Sequence, residues 1–209
     1  MIRVHHLNNS RSQRILWILE ELGAPYEIIK YQRDATTNLA PPELKAIHPL
    51  GKSPVIEDDG KVIAESGAII EYLATRHGGG RLAVAQSDPA WVDYLHWMHF
   101  AEGSAMLPLM LSLYTGRLGE AGAPLQPRIT SEIANHLSYM NARMSGRDYL
   151  VADRLTAADI QNSFTLEAAN AFGRLADYPE LQRYLAAMQG REAYRRALEK
   201  GGAYAFGPR

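Results

Sequence analysis

Residues 48–73 read HPLGKSPVIEDDGKVIAESGAIIEYL, and this stretch decides the fold of the first part of the chain. The triplet DDG at 58–60 predicts a tight hairpin turn, so we expect a strand at 53–56 and a returning strand at Lys61–Ala64. The apolar residues that follow have helical spacing and predict a helix over 67–76. A strand hairpin followed at once by a helix is typical of a small mixed α/β domain.

The N-terminal residues complete this domain. β-Branched residues predict a strand over Ile2–Leu7, and Tyr26–Tyr31 is a second strand candidate. Between them, apolar residues at helical spacing predict a helix over 11–22, which Gly23 ends. The predicted order is strand, helix, strand, loop, and then the hairpin with its helix, in a domain that spans residues 1–78.

The rest of the chain is predicted to be helical. Three glycines at 78–80 break the pattern, and we assign 79–86 as a linker and 87–209 as an all-helical domain. A long helix from Ala90 is followed by predicted helices at 127–143, 156–171, Pro179–Gln189 and 192–200. The final GGAYAFGPR is expected to be poorly ordered or to cover a site.

The composition excludes several functions. The 209 residues carry a formal net charge of −1, so no global field attracts nucleic acid or an anionic membrane. No cysteine is present, which excludes disulfides, thiolate–metal sites and a nucleophilic protein thiol. The N-terminus lacks the pattern of a signal peptide, and no apolar run is long enough to span a bilayer. We therefore expect a cytoplasmic protein that binds small molecules, with no nucleic acid and no membrane partner.

Polar residues follow the first predicted strand, where Asn9, Ser10 and Ser12 stand between strand and helix. The N-terminus of a helix favours an anion, and a hydroxyl placed there can donate a hydrogen bond to a bound thiolate and lower its pKa. Each serine could instead cap the helix. The residues alone leave both roles open.

Two features of the opening stretch suggest a peptide-like ligand. Pro54 either begins an edge strand or lies in a cis turn, and a cis bond would leave the backbone of Val55 able to pair with an extended ligand. At the start of the next helix, Ser66 and the helix N-terminus could hold a carboxylate, while Glu65 could accept from an ammonium group. The alternative is that Ser66 is an ordinary helix cap.

Together these features resemble the cytosolic glutathione transferase superfamily over nearly the whole chain. The strings NSRSQR, HPLGKSPVI, AESGAIIEYL and LTAADI occur in the order that the family shows. The resemblance implies an α/β thioredoxin-like N-terminal domain followed by an all-α C-terminal domain, a homodimer, and glutathione as co-substrate. It also implies that Thr156 and Asp159 form a helix-capping box.

The resemblance also implies a role for each residue of a glutathione site. Ser10 would be the catalytic serine whose hydroxyl favours the thiolate, with Arg14 four residues later. Pro54 would be the cis-proline, and Val55 would be the backbone clamp on the cysteinyl part of glutathione. Glu65 and Ser66 would bind the γ-glutamyl end, and the other expected glutathione-binding residues are His48, Lys52 and Ser53.

Departures from the family pattern leave the sulfur contact and the reaction open. The junction holds neither tyrosine nor cysteine, so tyrosine-type and glutaredoxin-like chemistry are not expected. Asn9 and Ser12 are alternatives to Ser10, and either would shift the activity towards disulfide reduction with two glutathiones. The expected reaction is conjugation of glutathione thiolate to small hydrophobic electrophiles. The alternatives are a glutathione-dependent peroxidase or disulfide reductase, and a non-catalytic module of the same fold.

The second substrate is expected to contact the long helix that begins near Ala90. Helical spacing predicts a pocket lined by His96, His99, Phe100, Gly103 and Met106. Methionine and aromatic side chains suit variable apolar ligands, and Pro108 is expected to bend the helix. The two histidines have no evident third ligand and no nucleotide-binding motif occurs, so neither a metal nor a nucleotide is predicted.

Overall fold

The structure is a computed structural model that describes residues 1–208 of the 209-residue chain. Its contacts divide the chain into two compact units. The first unit comprises Met1–Gln86 together with the chain from Met188 onward, and the second comprises Ser87–Ala187. The second unit starts where the helical domain is predicted to start. The return of the C-terminal segment to the first unit differs from the prediction that 87–209 forms one domain.

The first unit is built around a four-stranded sheet. Its strands are β1 (Ile2–Leu7), β2 (Tyr26–Tyr31), β3 (Val55–Asp58) and β4 (Lys61–Ala64). Their order is β2-β1-β3-β4, with β1 parallel to β2 and the other two pairs antiparallel. All four predicted strands are present, and β3 lies two residues later than predicted.

Helices account for most of the remaining chain. They are α1 (Ser12–Leu22), α2 (Leu44–Ile47), α3 (Ser66–Arg76), α4 (Trp91–Phe100), α5 (Met106–Gly116), α6 (Gln126–Met144), α7 (Ala157–Ala171), α8 (Pro179–Gln189) and α9 (Glu192–Gly201). A mixed sheet followed by helices confirms the predicted fold class. Among residues 1–208, no helix has both the length and the hydrophobicity needed to cross a bilayer.

The helix α1 forms because its apolar residues repeat with a helical period. Ile15, Leu16, Ile18 and Leu19 are all fully buried, so the helix is anchored by its apolar side chains. Gly23 ends the helix in the left-handed conformation, at φ 64, which glycine adopts without steric cost. The buried apolar face therefore holds the N-terminus of α1 next to the residues that follow β1.

The last helix, α9, packs against α1 within the first unit. The rings of Tyr194 and Trp17 meet edge-on with 5.4 Å between their centroids. The carboxylate of Glu20 accepts from Arg196 at 2.9 Å and also pairs with Lys200. An aromatic contact and opposite charges therefore explain why the C-terminal segment belongs to the first unit.

The long helix predicted from Ala90 is interrupted in the structure. A π-helical segment, Ala101–Ala105, separates α4 from α5. Pro108 lies in the first turn of α5 and has no N–H, so the carbonyl of Ser104 lacks its usual helical donor. The irregular segment thus lies directly before the proline, and π turns are recognised sites of helix bending.

A capping box begins α7, as predicted. Asp159 Oδ2 accepts from the N–H of Thr156 at 2.8 Å and from its hydroxyl at 3.0 Å. The other carboxylate oxygen accepts from the N–H of Leu150 at 2.9 Å and the hydroxyl of Tyr184 at 2.7 Å. Four donors therefore converge on one fully buried carboxylate, which joins α7, α8 and the preceding loop.

Replacing Asp159 by alanine should lower the free energy of unfolding by about 3 kcal/mol, because it leaves several buried donors without an acceptor. Asp148 pairs with Arg183 at the surface, so Asp148→Ala should change stability little. Urea unfolding of both variants beside the wild type checks this. Equal stabilities of the two variants would contradict a structural role for the Asp159 network.

Candidate functional site

Three of the predicted motifs meet at one edge of the sheet. His5 in β1 is the register partner of Val55 at the start of β3, and Val55 is also the partner of Ala64 at the end of β4. Because β3 runs antiparallel to both neighbours, the loop after β1, the start of β3 and the start of α3 all lie at the same edge. The polar groups of the three motifs are thereby collected in one region of the first unit.

Ser12 links the end of β1 to the start of α1. Its Oγ lies 2.8 Å from Ser10 Oγ, 2.8 Å from His6 Nδ1 and 3.3 Å from the backbone nitrogen of Leu7. Ser10 Oγ accepts from the N–H of Ser12 at 3.2 Å. Ser12 is fully buried, whereas Ser10 is 5% exposed. Ser10 therefore satisfies a backbone donor at the start of α1 and keeps its own hydroxyl proton to donate.

His6 determines the direction of these hydrogen bonds. Burial and, to a smaller extent, the ammonium of Lys30 lower the pKa of His6 to about 4, against the raising effect of the Gly201 backbone. His6 is therefore neutral at physiological pH. Nε2 faces the Gly201 backbone, so a neutral ring with its hydrogen on Nε2 can accept the Ser12 proton at Nδ1, and the Leu7 carbonyl, 3.2 Å from Ser12 Oγ, is the second acceptor for that proton. Ser12 Oγ can then accept from Ser10.

Asn9 is held by both the end of β2 and the C-terminal segment. Its backbone has φ 50, a left-handed conformation that asparagine tolerates better than most residues. Its carbonyl accepts from Arg33 at 3.2 Å, and its Oδ1 accepts from the N–H of Ala205 at 2.7 Å. Because the amide oxygen faces Ala205, the Nδ2 group is the end of Asn9 that remains to donate to a ligand.

Arg14 joins the first motif to the start of α3. Its side chain is buried and Nη2 donates to Ser66 Oγ at 2.9 Å. Glu65, directly before α3, is exposed and has φ 70, which is strained for a residue with a side chain. Backbone strain of this kind is often found at binding sites, where the surrounding structure holds it in place.

The residues before β3 form the third part of the edge. The Ser53–Pro54 bond is cis, as the resemblance implied, and Ser53 Oγ donates to the carbonyl of His5 at 2.8 Å. His48 and Lys52 lie in the loop that leads to this bond. His48 Nδ1 accepts from the N–H of Leu50 at 3.4 Å, and Lys52 is exposed.

The predicted pocket residues of the second unit do not share one environment. Phe100 and Met106 are buried, whereas His96, His99 and Gly103 are exposed. The rings of His96 and Phe100 stack with 5.5 Å between centroids, and His96 Nε2 lies 3.1 Å from the hydroxyl of Tyr139. The π segment between Phe100 and Met106 changes the angular spacing, so α-helical spacing does not carry across it.

Sequence reasoning missed three residues that shape this edge: His6, Arg33 and Ala205. The strand pattern predicted that His6 lies in β1 but contained no signal that its ring would contact Ser12. Arg33 and Ala205 reach the Asn9 loop from distant parts of the chain, which no local pattern could indicate. Within residues 1–208, no cluster of three or more metal-ligating side chains is present.

The fold and this polar edge define a two-unit protein with a thioredoxin-like sheet and a polar strand–helix junction at the N-terminus of α1. Residues 1–75 match the family model described as glutathione S-transferase, N-terminal domain, and residues 98–192 match that of the C-terminal domain. The chain belongs to the glutathione S-transferase family.

Several similar proteins match this chain over nearly their whole length. Glutathione S-transferase 1 of Saccharomyces cerevisiae is 32% identical over 97% of this chain and 96% of its own. A glutathione S-transferase from Actinobacillus pleuropneumoniae is 34% identical, with a TM-score of 0.88 over 98% of this chain and 94% of its own. A family member from Pseudomonas fluorescens, solved with two glutathione bound, is 29% identical, with a TM-score of 0.79 over 95% of this chain and 92% of its own.

The buried neutral state of His6 predicts a pH dependence of stability. The unfolded chain binds a proton at His6 near pH 6.5 and the folded chain only near pH 4, so the unfolded state binds more protons between these values. The free energy of unfolding should therefore fall by up to about 3 kcal/mol as the pH drops through this window.

The control is His6→Asn, which keeps a side-chain oxygen that can accept from Ser12 but does not titrate. Urea unfolding at about pH 7 and about pH 5 should show a smaller pH effect in the variant than in the wild type. The same pH effect in both proteins would contradict the assignment of a neutral His6.

Proposed function

We propose that this protein is a glutathione transferase that conjugates the glutathione thiolate to small electrophiles. The observation that carries the proposal is the junction of β1 and α1, where the Ser10 hydroxyl stands at the positive end of a buried helix. The two other motifs lie at the same edge of the sheet. The similarity to a Pseudomonas fluorescens protein solved with two glutathione bound supports glutathione as the ligand.

The proposed binding mode gives each part of the tripeptide a partner at the edge. The sulfur faces Ser10, and the cysteinyl backbone pairs with the backbone of Val55, which follows the Ser53–Pro54 bond. Glu65 and Ser66 bind the γ-glutamyl end, helped by the N-terminus of α3. His48 and Lys52 bind the glycyl carboxylate.

Ser10 is the proposed principal donor to the sulfur. Ser12 donates to His6 and accepts from Leu7, and it is fully buried, so it is proposed to position Ser10. The Ser10 proton can go to Ser12 or to the ligand. A thiolate is charged and is therefore the stronger acceptor, so it should draw this proton. Asn9 Nδ2 is the proposed second donor.

The mechanism needs little beyond this arrangement. A hydrogen bond to the sulfur and the N-terminus of α1 stabilise the thiolate relative to the thiol, and each unit of pKa lowering is about 1.4 kcal/mol. The thiolate then attacks the electrophilic carbon, a C–S bond forms, and the leaving group departs with its electron pair. Holding both reactants in place supplies the rest of the acceleration.

Disulfide reduction is a second candidate, because the chain contains no cysteine. A mixed disulfide with the protein cannot form, so a reductase of this sequence would use one glutathione to attack the substrate disulfide and another to resolve the product. The two glutathione bound in the Pseudomonas fluorescens structure favour this candidate. The homodimer and the cytoplasmic location belong to the proposal on grounds of family resemblance.

Ser10→Ala should lower kcat for an activated aryl chloride by about 10- to 100-fold, because it removes one hydrogen bond to a charged sulfur. The Kd of glutathione should change by less than about threefold, since the other binding groups remain. Steady-state kinetics and calorimetric titration measure the two quantities. Ser131→Ala, on the exposed face of α6, is the matched control.

The same variants should be assayed with a mixed disulfide. If Ser10→Ala keeps full activity and Asn9→Ala loses it, Asn9 is the sulfur contact and disulfide reduction gains support. If the wild type binds no glutathione, the proposed function is wrong and the chain is a non-catalytic module of this family.

A further inference from the structure

A cavity of about 430 Å³ lies in the first unit beside the proposed sulfur site. One wall is the end of β1 and the loop after it, including His6 and Asn9, and a second wall is the end of β2, including Lys30. The segment Gly201–Ala205, which follows the last turn of α9, closes the third side. Because β1 and β2 are parallel, this cavity and Ser10 lie at the same edge of the sheet.

The charge of this cavity is positive. Lys30 is the one residue with a full charge among the described residues of its walls, since His6 is neutral. Within residues 1–208, no carboxylate pairs with the Lys30 ammonium. An anion that enters the cavity can therefore pair with the Lys30 ammonium, which forms no ion pair with a described acidic group.

Lys30 is exposed, and its ammonium lies close to the C-terminal wall of the cavity. His6 and Lys30 are register partners on neighbouring strands, so their side chains lie on the same face of the sheet. A Cβ atom at Gly202 would lie 3.9 Å from Lys30 Nζ, which shows that the ammonium reaches the C-terminal wall. Gly202 has φ 93, a conformation that favours glycine, and lies in the turn that approaches Lys30.

A second donor in the cavity is the side chain of Asn9. The N–H of Ala205 occupies its Oδ1, which leaves Nδ2 as the end that can donate. The cavity thus presents an ammonium and an amide N–H, both suited to carboxylate oxygens. Asn9 also directly precedes Ser10, so a ligand that fills the cavity lies next to the proposed sulfur position.

Lys30 has one competing structural role, which is to offset the partial negative charge at the C-terminus of α9. That terminus already has two other partners. The His6 ring faces the Gly201 backbone, and Lys200, which also pairs with Glu20, lies in the last turn of the helix. The Lys30 charge is therefore not needed for the helix end alone.

We infer that this cavity is the subsite for a carboxylate of the second substrate, so that the protein prefers electrophiles carrying an acidic group placed to pair with Lys30. This inference rests on the proposed function and narrows its substrate class from apolar electrophiles to acidic ones with an apolar body. In the conjugation of an acidic aryl chloride, the thiolate forms the C–S bond and chloride leaves with the electron pair. The carboxylate itself does not react.

The test compares two electrophiles of similar size and shape, the charged para-chloro-meta-nitrobenzoate and its uncharged carboxamide. The wild type should turn over the benzoate with the higher kcat/KM, corrected for the uncatalysed rate of each compound. Lys30→Gln should lower kcat/KM for the benzoate about tenfold, the size expected for one partly shielded ion pair, and leave the carboxamide within about twofold. At saturating glutathione, added salt should weaken the benzoate reaction more than the carboxamide reaction.

Lys61→Gln is the matched control, because Lys61 is exposed and begins β4 at the opposite edge of the sheet. Lys61→Gln should leave kcat/KM unchanged for both substrates. A measurement without turnover supports the same point: benzoate binding should raise the pKa of His6, followed by NMR, because it offsets the Lys30 charge, and the carboxamide should not.

The outcomes separate this inference from the function on which it rests. If the wild type conjugates both compounds equally, or Lys30→Gln affects both alike, the proposed function stands and the carboxylate subsite is wrong. If the wild type conjugates neither compound and binds no glutathione, the proposed function fails and the subsite fails with it.

Discussion

The buried hydroxyl of Ser12 contacts His6 Nδ1 and the Leu7 carbonyl, its two acceptors, and this commitment sets the other contacts at the functional edge of the sheet. Ser12 Oγ also accepts from the Leu7 N–H and lies 2.8 Å from Ser10 Oγ. The end of β1 and the start of α1 are therefore joined by one buried group of hydrogen bonds, and the His6 ring of this group faces the Gly201 backbone at the end of α9. Each buried group left without a partner would cost about 1–3 kcal/mol, so these elements are constrained together.

These buried hydrogen bonds hold the residues of the proposed sulfur site in place. The Ser12 hydroxyl is committed to internal partners, which leaves Ser10 as the hydroxyl that can turn towards a sulfur. The C-terminal segment that follows Gly201 runs to Asn9 and closes the cavity beside Asn9. The helix N-terminus, the Asn9 amide and the Lys30 ammonium all favour negative charge in this region. Electrostatic groups fixed before the ligand arrives need no reorganisation when the thiolate forms.

Much of the fold could be predicted from the sequence, because its signals are local. The hairpin around DDG and the amphipathic pattern of α1 depend on residues that are neighbours in the chain, and the structure confirms both. The four-residue helix α2 (Leu44–Ile47) is barely one turn long, so it shows no helical repeat. The π-helical segment Ala101–Ala105 was not predicted, because the sequence signal for an irregular helix was a proline that follows the segment.

The candidate site was predictable in its motifs but not in its connections. The string at 9–14 marked the junction, and the resemblance implied the cis bond before Val55, which the structure contains. The roles of His6 and Lys30 depend on strand pairing, and that of Ala205 on the packing of α9 against α1. These contacts join residues that are far apart in the chain, so neither local residue spacing nor composition could indicate them.

The central claim is that the β1–α1 junction stabilises the thiolate of bound glutathione. The most direct measurement is the pKa of the bound thiol, followed by the ultraviolet absorbance of the thiolate as the pH is varied with saturating protein. With a hydroxyl donor and a helix N-terminus at the sulfur, we expect a thiol pKa at least about one unit below that of free glutathione. A bound thiol that titrates with the same pKa as free glutathione would contradict it.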